Sequence, residues 1–335
     1  MRVRLITFTA VLLLLSTTTA VWAQGSGVIE GQVFDGTSDG GPLEGLRVTL
    51  WAYEGPEPQT SFETTTDEEG KFRFEGLETE GFAYQFEVEY MGVQYPSEAM
   101  VFPEGENLIS IPFSVFESTT GDEDLSLERA HLIVSFEPGT IRVQEVQIFL
   151  NAGNKTYVGP TREEGGATAY FTLPQGASEV QLMGGLMECC VVETDTGFAS
   201  TQPIFPGSKQ FVFGYGLQHE STTYELLRQM VYPTGSMDVL VADVGVGVTA
   251  PGLVEGERLS REGGDYLHLT AQNLTPADDV VIQFTNLPVG AAPEPQASPA
   301  MPSPLLTWAV LAVALLGVII ALAYPFLKTS REGKG

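Results

Sequence analysis

The sequence predicts an all-β protein, with tandem β-sandwiches as its ectodomain, a signal peptide before them and one C-terminal transmembrane helix after them. Three observations point there. Short runs rich in Val, Ile, Tyr, Phe and Thr recur along the chain, broken by many of its 37 Gly and 21 Pro, which is the pattern of strands joined by tight turns. Hydrophobic residues make up 43%, too many for a disordered acidic chain. A length of 335 residues allows about two domains at roughly 100–200 residues each.

The ends set the expected location. Arg2 and Arg4 precede an apolar run at 11–15, and Val21-Trp22-Ala23 fits a small-x-small cleavage site before Gln24, so residues 1–23 read as a secretory signal peptide. Residues 305–324 contain one clearly polar residue, Thr307. As a helix rising ~1.5 Å per residue they would span about 30 Å, the hydrocarbon thickness of a bilayer. Lys328, Arg331 and Lys334 then make 325–335 a basic cytoplasmic tail. A cleaved sorting signal is the competing reading, but residues 287–290 do not complete an LPxTG-type signal. Five prolines in 291–304 read as a stiff extended stalk. The expected protein is therefore single-pass in the cell membrane, with its N-terminal region extracellular or periplasmic.

Charge narrows the partners. The chain holds 43 acidic and 16 basic residues, for a formal net charge of −27. Every acid but Glu332 falls between the two hydrophobic ends, so the acidity belongs to the ectodomain. Nucleic acid is excluded as a partner, because phosphate binding needs clustered Lys and Arg. Self-repulsion and repulsion from anionic lipid should keep such a surface solvated.

Strands are expected over 28–34, 46–53, 71–74, 84–90 and 107–115 in a first sandwich at 27–117. A polar, acidic stretch at 118–127 marks the boundary. In a second region, 128–290, they are expected over 131–136, 141–150, 169–173, 179–183, 210–215, 239–248, 265–271 and 280–287. A split of that region near 220–235 is left open. The one fair helix candidate is 222–230.

The first sandwich carries a pattern. Gly31-x-Val33-x-Asp35 is followed by Gly41-Pro42-Leu43-x-Gly45-Leu46-x-Val48-x-Leu50, then by Thr65-Thr66-Asp67-x-x-Gly70-x-Phe72-x-Phe74-x-x-Leu77, and by Gly81-Phe82-x-Tyr84. Phe72 and Phe74 point to one face of a strand while Lys71, Arg73 and Glu75 face water. Asp67 and Gly70 supply the turn before it. Over about residues 27–116 this resembles the carboxypeptidase regulatory-like family, whose fold is a transthyretin (prealbumin)-like, carbohydrate-binding-like sandwich of seven strands. The resemblance implies a structural or adhesive module and carries no catalytic residue. The chain departs from it in an acidic insert at 54–58. Residues 128–290 match no family we can name.

Site candidates are sparse. Cys189 and Cys190 are adjacent and are the only cysteines. They read as a buried strand pair on opposite faces, as free thiols or an intermolecular bond, as a strained vicinal disulfide, or, with Met183, Met187 and Glu188 nearby, as soft ligands for Cu. His131, His219 and His268 lie far apart and match no metal-ligand spacing. The segment 35–40 begins like a calcium loop but has Leu46 where a bidentate Glu is needed. A hairpin turn explains it better, although the many acids leave weak Ca binding between loops open. Trp51, Tyr53, Tyr90 and Tyr95 would stack on sugar rings if exposed, or fill the core if not. No nucleophile elbow, phosphate loop or dinucleotide fingerprint occurs, so no enzyme is expected and no cofactor is required.

These readings converge on a noncatalytic, membrane-anchored cell-surface protein that binds or scaffolds. Its partner would be a glycan or a protein, and fold analogy favours carbohydrate. The alternative is an accessory subunit of a membrane enzyme or of a metal- or redox-handling complex that uses the Cys189-Cys190 pair.

Overall fold

The computed structural model describes residues 26–37, 40–160, 166–261 and 264–290. The expected signal peptide, stalk, transmembrane helix and tail lie outside the described residues. Among the described residues no helix is long and apolar enough to cross a membrane. The described chain is an all-β sandwich protein in two compact units. Of the described residues, one unit comprises 26–34 with Gly41–Val115, and the other comprises those within 35–40 and 116–290.

The first unit is built from seven strands: β1 (Gly27–Asp35), β2 (Arg47–Tyr53), β3 (Pro58–Thr65), β4 (Lys71–Leu77), β5 (Ala83–Tyr90), β6 (Val93–Pro96) and β7 (Leu108–Val115). They form a sheet of order β4-β1-β7 and another of order β3-β2-β5-β6. Alternation dictates the faces. Along β4, Phe72, Phe74 and Leu77 are buried while Lys71, Arg73 and Glu75 are exposed. Ile29 and Val33 from β1, Val48 and Leu50 from β2, and Phe86 and Val88 from β5 are fully buried. Phe86 packs edge-on against Phe72, with ring centroids 5.0 Å apart, and against Phe113 at 4.9 Å.

Two glycines in the pattern are there for close approach. A Cβ on Gly31 would sit 2.5 Å from the Phe72 ring and 2.7 Å from the Ile111 carbonyl oxygen. Gly70 has φ +72°, and a Cβ there would meet the Val33 carbonyl oxygen at 2.6 Å. Asp67 completes that turn, its carboxylate accepting the amides of Glu69 at 2.9 Å and Lys71 at 2.8 Å.

The insert at 54–58 turns out to be short. Residues 54–57 are a turn, and Pro58 already begins β3, an edge strand whose side chains are almost all exposed. Without a buried face, β3 has no hydrophobic alternation to betray it in the sequence.

The second unit adds β8 (Ser118–Thr119), β9 (Leu125–Glu137), β10 (Thr140–Asn151), β11 (Thr156–Tyr157), β12 (Ala169–Thr172), β13 (Ala177–Leu182), β14 (Val191–Thr194), β15 (Gly197–Ser200) and β16 (Gly207–Gln218). It continues with β17 (Tyr224–Gln229), β18 (Thr234–Ala242), β19 (Gly247–Thr249), β20 (Val254–Glu255), β21 (Leu259–Arg261), β22 (Gly264–Leu274) and β23 (Asp279–Thr285). A large sheet runs β13-β16-β10-β9-β18-β22-β20, with β21 also paired to β22. β9 and β18 pair in parallel, and the other pairs in this sheet are antiparallel. The sheet draws strands from both sides of residues 220–235.

Two three-stranded sheets, β12-β15-β14 and β17-β23-β19, share one core with the large sheet. That core extends from Leu125 to Leu287. Phe149 of β10 meets Phe171 of β12 at 5.8 Å, and Phe136 of β9 meets Phe284 of β23 at 5.4 Å.

Two local expectations are corrected. Residues 222–230 are not helical: they carry β17, paired antiparallel with β23 from Tyr224↔Phe284 to Gln229↔Asp279. Leu226 and Arg228 alternate inward there, so sheet pairing outweighs the helix propensity of its Glu, Leu and Arg. The strand expected over 239–248 ends at Ala242. Val244 is 64% exposed, and Gly245 turns the chain with φ +87°.

Candidate functional site

Four connections meet at one end of the first sandwich: the chain entering β1, the β2–β3 turn, the β4–β5 loop and the β6–β7 loop. Between them lies an open cleft of about 860 Å³ lined by Tyr53, Phe82 and Phe102, by Glu80, Glu104 and Glu106, and by Asn107, Ser26 and neighbouring backbone. Phe102 is buried and packs edge-on against Tyr84 at 5.7 Å. The Tyr84 hydroxyl donates to the Glu78 carbonyl at 2.9 Å, and its backbone exchanges hydrogen bonds with Met100, 2.7 Å each way. The Asn107 carbonyl accepts the Val28 amide at 2.8 Å. These bonds pin the walls to the sheets.

The chemistry of the cleft is aromatic and acidic. Its three carboxylates are exposed, and no Lys or Arg is among its lining residues. Aromatic faces accept the C–H face of a ring, and carboxylates and carbonyls accept hydroxyl protons.

The four aromatic candidates do not converge. Tyr53, at the end of β2, lines the cleft. Trp51 is half-buried on the outer face of β2, opposite Ser61 and Gln85. Tyr90 closes β5 at its far end, beside Val93, while Ala83 at the other end pairs with Tyr53. Tyr95 is 2% exposed. It is a core residue, because on β6 the side chains of Val93 and Tyr95 turn inward while Gln94 and Pro96 turn out. Sequence reasoning passed over Phe82, Phe102 and Asn107 as site residues. Their signal was the Gly81-Phe82 and Pro103-Glu104-Gly105 turns, which align only once the strands are paired.

Cys189 is exposed and Cys190 half-buried, and both are free thiols. They sit in a single 3-10 turn, Glu188–Cys190, closed by the Cys190 amide on the Met187 carbonyl at 2.9 Å. A thiol–thiol hydrogen bond from Cys189, helped by burial, raises the Cys190 pKa. Met187 is 54% exposed. Met183 is directed elsewhere, its methyl lying 3.3 Å from the position a Gly214 Cβ would take. Burial lowers the Lys209 ammonium near this turn to about 8.

Two of the histidines, far apart in sequence, share one carboxylate. β9, β18 and β22 are neighbours in the large sheet, and they place Asp238 between His131 and His268. His268 Nε2 lies 2.6 Å from one carboxylate oxygen of Asp238, and His131 Nδ1 lies 3.4 Å from the other. His219 is separate, its Nδ1 2.8 Å from the Ser221 carbonyl oxygen. Among the described residues no group of three or more His, Cys, Asp or Glu side chains is gathered for a metal ion. In the segment 35–40, Asp35 accepts the Thr37 amide at 2.8 Å, as a turn requires.

No family model and no curated protein matches the chain. Solved structures give distant likenesses. A candidate carbohydrate-binding protein from Pseudomonas aeruginosa (PA1324) is 14% identical over 29% of this chain and 92% of its own, with a TM-score of 0.19. An M1 zinc metallopeptidase mutant from Deinococcus radiodurans is 16% identical over 49% of this chain and 43% of its own, with a TM-score of 0.33. The full-length major pilin SpaD from Corynebacterium diphtheriae is 11% identical over 77% of this chain and 86% of its own, with a TM-score of 0.24. At these values the likenesses carry no argument about ligand or activity.

Proposed function

We propose that this chain is a noncatalytic cell-surface binding or scaffolding protein, anchored by a single membrane-spanning helix at 305–324, that takes a carbohydrate in the loop-end cleft of its first sandwich. The observation that carries the reading is the cleft itself. It is concave and large enough for a small glycan, at about 860 Å³. Its walls combine the Tyr53 and Phe82 rings with hydroxyl-accepting carboxylates. Membership of the carboxypeptidase regulatory-like family belongs to the same proposal. It rests on the residues that the fold explains: Gly31, Val33, Asp67, Gly70, Phe72, Phe74 and Leu77. Loops held by a rigid sheet are where such modules present their contacts.

Two measurements test the reading. The full chain, expressed in a bacterial host, is expected in the membrane fraction and resistant to carbonate extraction. On a glycan array it is expected to retain a defined glycan class. Release from the membrane by carbonate would remove the anchor, and a silent array would remove the ligand class.

A further inference from the structure

We infer that the carbohydrate path does not stop at the cleft: Trp51 forms a second subsite, one step along β2, for a linear oligosaccharide whose sugars carry no acid. This rests on the carbohydrate reading of the cleft and extends it from a single unit to a chain.

The outer face of β2 makes the path continuous. Burial along the strand alternates, with Val48, Leu50 and Ala52 inside and Thr49, Trp51 and Tyr53 outside. Tyr53 and its cross-strand partner Ala83 both line the cleft. Trp51 and Gln85 make the next outward rung of the same strand pair, and Thr49 and Glu87 the one after. Two residues on one face of a strand stand about 7 Å apart, a step on the scale of one sugar unit.

Trp51 suits a ligand better than a core. The inner side of β2 is filled by Leu50 and Ala52, 0% and 2% exposed, and Trp51 is the single tryptophan among the described residues. Its cross-strand neighbours are polar. Ser61, on the edge strand β3, is exposed, and Gln85 is tied down by its Nε2, which donates to the Ser97 carbonyl at 2.8 Å. A flat ring flanked by a hydroxyl and an anchored amide matches a sugar, whose C–H face stacks and whose hydroxyls exchange hydrogen bonds.

Charge selects the sugar. Glu80, Glu104 and Glu106 line the cleft, and Glu63 and Glu87 flank Thr49 on the rung beyond Trp51. Arg47, the next outward residue of β2, is paired with Glu89 at 3.8 Å. A path bordered by carboxylates repels uronate and sialyl groups.

The test titrates the full chain calorimetrically with malto-, cello-, manno- and N-acetylchito-oligosaccharides of increasing length, and with oligogalacturonates of matched length. One neutral series is expected to bind, tightening about tenfold once the chain is long enough to reach Trp51, the scale of one aromatic contact. Trp51→Ala, shown to be folded, should lose that gain and bind long chains as weakly as short ones, and Trp51→Phe should keep most of it. Oligogalacturonates should not bind. Affinity independent of length in the wild type, the same length gain in Trp51→Ala, or binding of oligogalacturonates would overturn the Trp51 subsite and leave the cleft as a single-unit site. No binding of any neutral series by the wild type would overturn the cleft reading and the subsite with it.

Discussion

Glu145 of β10 and Arg228 of β17 form an ion pair inside the second sandwich. Nη2 and Nε of Arg228 lie 3.0 and 3.2 Å from one carboxylate oxygen of Glu145. Glu145 is 0% and Arg228 4% exposed. Further hydrogen bonds surround the pair. Tyr215 donates to the other carboxylate oxygen at 2.9 Å and Gln147 to the shared one at 2.8 Å. Arg228 also donates to the Thr172 hydroxyl and to the Gln229 carbonyl. The network thus ties the large sheet to both small ones, through β10 and β16 on one side and β12 and β17 on the other. Burial, with Glu145 alongside, holds the Tyr215 phenol protonated to well above its ordinary range.

Removing one partner leaves a buried charge unpaired. Arg228→Met is expected to destabilise the protein by about 3–5 kcal/mol, whereas the double variant Glu145→Leu, Arg228→Met should recover most of that loss. Urea denaturation of the single and double variants measures both. A double variant no more stable than Arg228→Met would show that the pair contributes more than charge neutralisation.

Gly31 makes a second, purely steric prediction. Its hydrogen faces the Phe72 ring of β4 and the Ile111 carbonyl of β7, so Gly31→Ala forces its two neighbours in the β4-β1-β7 sheet out of place. A loss of about 1–3 kcal/mol is expected from such overpacking. A thermal midpoint equal to wild type would contradict it.

The His131–Asp238–His268 cluster should make stability fall in mild acid. Burial lowers the His131 pKa, Arg129 and His268 push the same way, and Asp238 opposes them. The folded value lies below the ordinary 6.5, so the unfolded chain takes up the proton first. The stabilisation by neutral His131 is complete above about 6.5 and is lost as pH falls through the folded value. Denaturation midpoints of wild type should therefore drop between about pH 7.5 and 5, with a smaller drop in His131→Gln. Identical pH profiles for the two would assign the acid sensitivity to other groups.

Much of the fold was legible because burial leaves a period in the sequence. Phe72 and Phe74 alternate with charged residues, so β4 and its facing sheet could be read directly. β3 could not, because no side chain of it is buried, and β17 could not, because Glu, Leu and Arg prefer a helix until β23 pairs with them. The site was less legible than the fold. Tyr53 was found among four aromatics, but only pairing separates it from Tyr95, and the cleft depends on loops that are distant in sequence. His131 and His268 illustrate the same limit, since Asp238 joins them through strand order alone.

Tyr53 and Tyr95 should therefore separate on mutation. Tyr95→Ala is expected to cost about 3–5 kcal/mol, as for other large core aromatics. Tyr53→Ala, at a half-buried position, should cost clearly less, about 1 kcal/mol. Comparable losses in the two would mean that Tyr53 supports the core rather than presenting a face to a ligand.

The most direct measurement is a glycan-array comparison of the full chain with its Tyr53→Ala variant, both shown to be folded. Retention of a glycan class by the wild type and its loss in Tyr53→Ala is the expected result. No retention by the wild type, or the same retention by both, would contradict carbohydrate binding in the loop-end cleft.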